Sequence, residues 1–263
     1  MPSFLALLAF LAGAGVAAER VRIPGADGVE LDAALVRPVG PATGSAVVAL
    51  HGCGGPYPSR DGSWAVALAR AGHPVLLPDS FGSRGLGSQC RVRHRRVTPS
   101  GLRRQDAIAA GRWLLAQPDL ARNGIALIGW SNGGGTVLAT ANAAADPPPG
   151  LFRRFVAFYP GCATRSRDPS WSPTAPVLIL VGAADDWTPA PPCQTLAARY
   201  PDRVTLAVYP DAYHDFDAPD ARVRVLHGLA TPPGGSGEAH AGTNPAARAD
   251  ALRRVPAFLA ATP

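Results

Sequence analysis

The fold of this chain is decided by Gly129-Trp130-Ser131-Asn132-Gly133. This stretch fits the pattern G-x-S-x-G, in which a sharp turn between a strand and a helix holds a serine hydroxyl clear of the sheet. The flanking sequence has the required character: residues 124–128 predict a short buried strand, and the Ala-rich residues 134–145 predict a helix. Ser131 is therefore predicted to lie at an exposed strand-to-helix turn.

Strands and helices alternate along the rest of the chain. Further strands are predicted at residues 20–23, 30–37, 46–50, 74–77, 155–159, 177–181 and 204–209. Helices are predicted at residues 62–71, 101–116, 191–200 and 245–261, and a surface loop at residues 232–242. This alternation predicts the α/β class, with a mainly parallel eight-stranded sheet and helices on both faces. Together with the turn at Ser131, it indicates the α/β-hydrolase fold.

The first residues predict export. Residues 1–18 carry no charged side chain, and their apolar core at residues 4–16 is too short to span a bilayer comfortably. Small residues at the end of this segment suit cleavage before Glu19. We therefore predict a signal peptide at residues 1–18, one domain at residues 19–263, and a periplasmic or secreted protein without stable membrane insertion. The alternative is an uncleaved N-terminal anchor.

The composition excludes several other classes of protein. A hydrophobic content of 47% and a charged content of 17% are those of a globular protein rather than a disordered one. The net charge of +6 is not accompanied by a nucleic-acid-binding motif, so we predict no nucleic acid partner. A cluster of arginines predicts either a rim that attracts anionic substrates or a solvated loop and helix start. Its members are Arg84, Arg91, Arg93, Arg95, Arg96, Arg103 and Arg104.

A nucleophilic serine needs a base that accepts its proton and an acid that orients the base. In the α/β-hydrolase fold these residues follow the serine, first Asp or Glu and then His. His214 follows the strand at residues 204–209 and is the predicted base, whereas His227 and His240 are predicted surface residues.

Two neighbouring carboxylates compete for the role of the acid. Asp185 and Asp186 both follow the strand at residues 177–181, where the fold presents this group. We favour Asp185. Asp186 would then cap the next turn or face solvent.

The negative charge of a tetrahedral intermediate needs hydrogen-bond donors that are fixed in advance. One predicted donor is the backbone N–H of Asn132, at the start of the helix after Ser131. The second is the backbone N–H of Cys53, in the loop His51-Gly52-Cys53-Gly54-Gly55, which resembles the HGGG-type motif. The alternative for this loop is a flexible turn.

These segments resemble the dienelactone hydrolase family of α/β-hydrolases over nearly all of the mature chain. The resemblance rests on residues 51–55, 78–85, 129–133, 182–189 and 212–216. In that family the acid lies two residues before an apolar residue and a proline, and this spacing again selects Asp185. The founding enzymes use a cysteine nucleophile and a glutamate in the loop after the third strand, where this chain has Ser131 and Gly52. The dienelactone substrate therefore does not carry over.

The resemblance and the loop positions also suggest residues that contact substrate. Arg84 corresponds to an arginine that helps to hold the substrate carboxylate in the founding enzymes, and the alternative is that Arg84 is a structural residue. Phe81, Trp187 and Tyr213 lie beside the predicted catalytic loops and are candidates for apolar walls. We expect small or medium acyl groups and a modest preference for substrates that carry a carboxylate.

Four cysteines in an exported chain predict two disulfides, with three possible connectivities. None has C-x-x-C spacing, so we predict no metal centre. In the predicted fold, Cys53 and Cys90 follow the third and fourth strands, and Cys162 and Cys193 follow the sixth and seventh. These pairs are therefore expected to form the disulfides, with buried free thiols as the alternative.

Together these features predict an exported serine hydrolase that cleaves carboxylic esters or lactones through an acyl-enzyme, with no metal or organic cofactor. One alternative is a peptidase of the prolyl oligopeptidase type, which usually carries an extra domain that 263 residues do not accommodate. The other is a non-catalytic binding protein on a hydrolase scaffold. The presence of a candidate for every role in the site argues against it.

Overall fold

The computed structural model describes residues 4–38 and 40–261. Its strands are β1 (Ala18–Pro24), β2 (Glu30–Val36), β3 (Ala46–Leu50), β4 (Val75–Pro78), β5 (Ile125–Trp130), β6 (Arg154–Phe158), β7 (Val177–Gly182), β8 (Val204–Tyr209), β9 (Arg224–Leu226) and β10 (Ala239–Ala241). Its α-helices are α1 (Phe4–Gly13), α2 (Pro58–Arg70), α3 (Leu102–Leu115), α4 (Asn132–Thr140), α5 (Ala163–Arg167), α6 (Pro191–Arg199) and α7 (Pro245–Ala260).

A single large sheet organises the molecule, with the strand order β1-β2-β4-β3-β5-β6-β7-β8. The pairs β1–β2 and β2–β4 are antiparallel, and the remaining neighbours are parallel. Leu50 of β3 pairs with Gly129 of β5, so the loop after β3 and the turn after β5 leave the sheet side by side. Gly182 of β7 pairs with Tyr209 of β8 in the same way. The predicted eight-stranded α/β sheet is confirmed.

The central strands are apolar throughout because helices cover both faces of the sheet. Every residue of β3, β5, β6 and β7 is buried. Continuous apolar runs of this kind are typical of parallel strands that are covered on both sides. Each fully buried Val, Leu or Ile stabilises the fold by about 1.5–3 kcal/mol relative to an exposed one. This core gives the loops at the carboxyl ends of the strands a rigid base.

The structure differs from the sequence-based expectation mainly outside the large sheet. Helix α4 ends at Thr140, because Asn142 accepts a hydrogen bond from the N–H of Ala144 and begins a separate 3₁₀ turn. The short helix α5 was not predicted. The predicted loop at residues 232–242 contains β10, which pairs with β9 in a two-stranded sheet.

The predicted leader forms a helix of its own. Helix α1 packs against α2 and β1 and buries Phe4, Leu7 and Leu11. Strand β1 begins at Ala18, so a cut before Glu19 would remove α1 and leave almost all of β1. Among the residues that the structure describes, no helix is long and apolar enough to cross a membrane. Residues 1–3, 39, 262 and 263 of the predicted leader and domain lie outside the described residues.

Candidate functional site

Ser131 occupies the turn between β5 and α4 in a backbone conformation that is unusual for a residue with a side chain. Its φ is 52° and its ψ is −112°. A Cβ atom added at Gly129 would collide with the carbonyl of Gly133, and one added at Gly133 would collide with the carbonyl of Leu50. Only glycine fits this close backbone approach. The two glycines of the G-x-S-x-G pattern therefore permit the predicted turn.

Asp185 and His214 come from the loops after β7 and β8 and meet directly. The Nδ1 atom of His214 lies 2.9 Å from Oδ2 of Asp185. The other carboxylate oxygen of Asp185 accepts hydrogen bonds from the backbone N–H groups of Trp187 and Thr188 at 2.9 and 2.8 Å. Both side chains of the pair are at most 1% exposed. The carboxylate is thus fixed in orientation and holds the imidazole ring.

The second ring nitrogen of His214, Nε2, takes no part in holding the ring. This atom is buried and has no hydrogen-bond partner among the described residues. Ser131 and His214 line the same cavity of about 190 Å³. The rings of Tyr159 and Trp187 flank the imidazole, with centroid distances of 4.5 and 4.6 Å. Ser131 thus shares a cavity with the imidazole but makes no hydrogen bond to Nε2.

Thr188 is a member of this group that the sequence analysis did not single out. Its hydroxyl oxygen lies 3.0 Å from Oδ2 of Asp185 and 3.2 Å from Nδ1 of His214. It also lies 3.0 Å from the carbonyl oxygen of Tyr159, at the end of β6. The hydroxyl therefore ties the carboxylate–imidazole pair to a third strand. Its signal was the position three residues after Asp185, in the same loop.

Asp186 points to a different partner. Its carboxylate binds exposed His240, with 2.7 Å between Oδ2 and Nδ1. His227 pairs in a similar way with exposed Glu238 at 2.8 Å. The structure therefore brings Asp185 to His214, and the surface positions expected for His227 and His240 are confirmed.

The surroundings of His214 favour its protonated form. Burial alone lowers the pKa of this imidazole, but the charge and the hydrogen bond of Asp185 outweigh burial and raise the pKa above its ordinary value of 6.5. His214 is thus a stronger base than a free imidazole.

His51, in the loop after β3, has its pKa shifted in the opposite direction. Burial, followed by the charge of Arg103, holds its pKa well below the ordinary value. Its Nδ1 atom lies 2.8 Å from the carbonyl oxygen of Gly52, and its Nε2 atom accepts a hydrogen bond from the N–H of Ser80 at 3.3 Å. A neutral imidazole satisfies both contacts and braces the loop that contains Cys53.

Both disulfides expected from the sequence form in the structure. Cys53 is bonded to Cys90, and Cys162 to Cys193. The carbonyl of Cys53 also accepts a hydrogen bond from the N–H of Gln89 at 2.7 Å, so two links join this loop to the segment after β4. Such bridges are typical of proteins from oxidising compartments.

The structure does not support a substrate-binding role for Arg84. Its side chain is 1% exposed and forms ion pairs with Asp106 at 2.8 Å and with Asp27 at 2.7 Å. It lines neither cavity beside Ser131. This guanidinium neutralises a fully buried carboxylate and joins β-sheet loops to α3. We therefore correct the expectation that Arg84 holds substrate.

Of the predicted apolar walls, only Trp187 lines the cavities beside Ser131. The ring of Tyr213 instead stacks on that of His240, with 5.0 Å between centroids. Phe81 is buried beneath the site, where its ring packs edge-on against His51 at 4.8 Å. These two aromatic residues support the site from outside the cavities.

A larger cavity of about 280 Å³ also borders Ser131 and has a positively charged wall. Arg95 and Arg165 both line it, beside Asn132. Nε of Arg95 donates to the carbonyl of Gln89 at 2.8 Å, and Nη2 of Arg165 donates to the Ser100 hydroxyl at 2.6 Å. Neither guanidinium forms an ion pair with a described carboxylate. Their positive charges therefore remain available to a bound molecule.

The arginine cluster at residues 84–104 is thus neither one rim nor one solvated face. Arg91, Arg93 and Arg96 are exposed, as a solvated loop requires. Arg103, by contrast, is completely buried. Whether an arginine of the cluster is exposed or buried therefore depends on the tertiary contacts of its side chain.

Arg60 is a further buried arginine, and the sequence analysis did not single it out. It forms ion pairs with Asp61 at 2.8 Å and with Asp215, the residue after His214, at 2.7 Å. It also lines the smaller cavity. The ion pair with Asp215 attaches the loop after His214 to helix α2.

Asp217 anchors the same loop further along. Its Oδ2 atom accepts hydrogen bonds from the indole N–H groups of Trp64 and Trp130 at 2.7 and 2.8 Å. Its Oδ1 atom accepts one from the hydroxyl of Tyr159 at 2.7 Å. One buried carboxylate therefore links the His214 loop to α2, β5 and the end of β6.

The sheet order, the Ser131 turn and the positions of the loops define an α/β-hydrolase. The model of the dienelactone hydrolase family matches residues 31–262, and this chain belongs to that family. Membership supports hydrolase activity on a small-molecule substrate.

Several solved structures share the fold. A Klebsiella pneumoniae protein assigned as a dienelactone hydrolase is 20% identical, with a TM-score of 0.67 over 94% of this chain and 99% of its own. A dienelactone hydrolase from Anabaena variabilis is 25% identical, with a TM-score of 0.59 over 78% of this chain and 90% of its own. A lidless α/β serine hydrolase from Xanthomonas campestris is 22% identical, with a TM-score of 0.60 over 94% and 97% of the two chains.

Proposed function

We propose that this chain is an exported serine hydrolase that cleaves carboxylic esters or lactones. The observation that carries the proposal is the buried pair of Asp185 and His214, 2.9 Å apart, beside a cavity that Ser131 also lines. An imidazole that a carboxylate holds through one nitrogen can accept the proton of a serine hydroxyl on the other, and Nε2 of His214 is not occupied by another group in the described part of the chain.

In the proposed reaction, Ser131 Oγ attacks the acyl carbon while its proton moves to Nε2 of His214. The backbone N–H groups of Asn132 and Cys53 stabilise the resulting oxyanion. When the intermediate collapses, the C–O bond to the leaving alcohol breaks and His214 returns the proton to that oxygen. Water then attacks the acyl-enzyme by the same route, releases the acid and restores Ser131.

The two cavities suggest how the substrate is divided. His214 must reach the leaving oxygen, so the smaller cavity, which His214 lines, accommodates the alcohol half. The larger cavity, lined by Asn132, then takes the acyl half. Arg95 and Arg165 on its wall favour acyl groups that carry a negative charge, a role that the sequence analysis gave to Arg84.

Two measurements test the proposed reaction. An alkyl fluorophosphonate should label Ser131 and inactivate the protein, and Ser131→Ala should abolish both labelling and ester turnover. Turnover of a 4-nitrophenyl ester by the Ser131→Ala variant at the wild-type rate would disprove the mechanism.

A matched pair of substrates separates an esterase from a peptidase. A 4-nitrophenyl ester and a 4-nitroanilide with the same acyl group differ only in the leaving atom. We expect turnover of the ester and little turnover of the anilide. Preferential cleavage of the anilide would favour the peptidase, and the absence of any turnover or labelling would favour the binding protein.

A further inference from the structure

Arg103 lies behind the candidate oxyanion hole and bridges the two segments that form it. Its side chain is completely buried. Nη1 donates to Oδ1 of Asn132 at 2.6 Å, and Nη2 donates to the carbonyl oxygen of His51 at 2.8 Å. A single guanidinium on α3 thus joins the start of α4 to the loop after β3. The planar fork of an arginine fixes both distances at once.

The charge of Arg103 is not neutralised by a close carboxylate. Among the residues that the structure describes, no carboxylate oxygen lies within ion-pair distance of it. Asp106 is paired with Arg84 instead, and Asp79 accepts the backbone N–H groups of Phe81 and Gly82. Burial lowers the pKa of Arg103 to about 10, against the opposing charges of Asp106 and Asp79, so the group stays protonated at neutral pH.

The immediate surroundings stabilise this charge only in part. The guanidinium carbon lies 4.8 Å from the centre of the Phe81 ring, and Nε has no hydrogen-bond partner among the described residues. A buried cation without a paired anion opposes folding. In a low-dielectric site, the same charge attracts an anion that forms nearby far more strongly than it would in water.

We propose that Arg103 is a positioning residue that holds the donors of Asn132 and the Cys53 loop in register and adds a buried positive charge behind them. The inference rests on the proposed function, because it assigns the oxyanion to that place. The bound ester is neutral there and the tetrahedral intermediate is negative. Arg103 therefore acts on kcat more than on KM.

The test compares Arg103→Met, which removes the charge and the fork, with Arg103→Lys, which keeps only the charge. Arg104→Met is the matched control, since Nη2 of the adjacent Arg104 donates to the carbonyl of Ala145, outside the site. For each variant we would measure kcat and KM on a 4-nitrophenyl ester. Inhibition constants would be measured for a trifluoromethyl ketone, which forms an anionic adduct with Ser131, and for the corresponding neutral alcohol.

We expect Arg103→Met to lower kcat about 100-fold, by analogy with the loss of one oxyanion donor, and to leave KM nearly unchanged. The ketone should bind more weakly by a similar factor, whereas the alcohol should bind as in the wild type. Arg103→Lys should lie between the two, and Arg104→Met should match the wild type. The midpoint of thermal unfolding of Arg103→Met should change little, because removal of a buried unpaired charge offsets the loss of hydrogen bonds to Asn132 and His51.

Unchanged kcat and ketone affinity in Arg103→Met would overturn the inference. Parallel losses in ketone affinity, alcohol affinity and unfolding midpoint would also overturn it, since they would mark a purely structural residue. If Arg103→Met does not fold, the same two inhibition constants are compared for Arg103→Lys. Weaker binding of the ketone alone would support the inference, and equal changes for ketone and alcohol would overturn it. A wild type that neither turns over the ester nor binds the ketone would instead refute the proposed function, before any variant is considered.

Discussion

Replacement of Asp185 by Asn tests the assignment of the acid directly. In the structure, Oδ2 of Asp185 lies 2.9 Å from Nδ1 of His214, and both side chains are at most 1% exposed. With an effective dielectric constant of about 20, a unit charge at this separation stabilises an imidazolium by about 6 kcal/mol. Since each 1.4 kcal/mol is about a factor of ten in rate, Asp185→Asn should lower kcat by about 10⁴-fold.

The matched control is Asp186→Asn at the next position. Asp186 is 44% exposed and pairs with His240 at the surface, where such pairs contribute about 0–1 kcal/mol. This variant should keep kcat within about twofold of the wild type. Both variants would be assayed on a 4-nitrophenyl ester, with circular dichroism to verify that each is folded.

The decisive result is the order of the two variants. An inactive Asp186→Asn beside an active Asp185→Asn would refute the assignment. A loss of less than tenfold in Asp185→Asn would show that the carboxylate does not support the imidazole in the reaction. The loss should appear in kcat, because the positive charge on His214 forms only as the reaction proceeds.

The site and the leader support four further predictions. Because the base must be neutral and the pKa of His214 is raised above 6.5, kcat/KM should fall as pH decreases through a value above 6.5, as a pH–rate profile would reveal; a midpoint below 6 would contradict this. Arg84→Ala should lower the free energy of unfolding, measured by denaturant titration, by about 3–5 kcal/mol, because it leaves a buried carboxylate uncompensated. Arg165→Ala should raise KM for anionic esters and leave KM for neutral esters unchanged. Equal effects on both esters would show that Arg165 does not bind substrate. Protein collected from the periplasm should begin at Glu19 by mass spectrometry and contain no titratable thiol, and an intact leader or free thiols would refute export and oxidation.

The parts of the fold that sequence predicted well depend on short-range patterns. The apolar runs of β3, β5 and β7 identify strands covered on both faces without knowledge of their neighbours. The turn at Ser131 depends on glycines two positions away and on the strand and helix that flank them, so a short stretch of sequence suffices to predict it. The order of the loops along the chain then places Asp185 and His214.

The parts that sequence did not predict depend on partners that are distant in the chain. Arg103 and Arg104 are adjacent and identical in type, yet only Arg103 is completely buried, because α3 turns one side chain beneath the Ser131 loop. Arg84 does not face the substrate cavities because it pairs with Asp27 and Asp106, and no local sequence pattern connects these two carboxylates with it. Such pairings arise only when helices and loops pack together.

The hydrogen bonds of Asp217 have a consequence for mutational scanning. This carboxylate never meets substrate in the proposed reaction, yet it holds Trp64, Trp130 and Tyr159 in place. Its replacement would leave three buried donors unsatisfied, at about 1–3 kcal/mol each. A scan scored by activity alone would therefore assign Asp217 to the catalytic machinery. A parallel scan of protein abundance would distinguish Asp217 from catalytic residues. Replacement of Asp217 should lower abundance, whereas replacement of Ser131 should not.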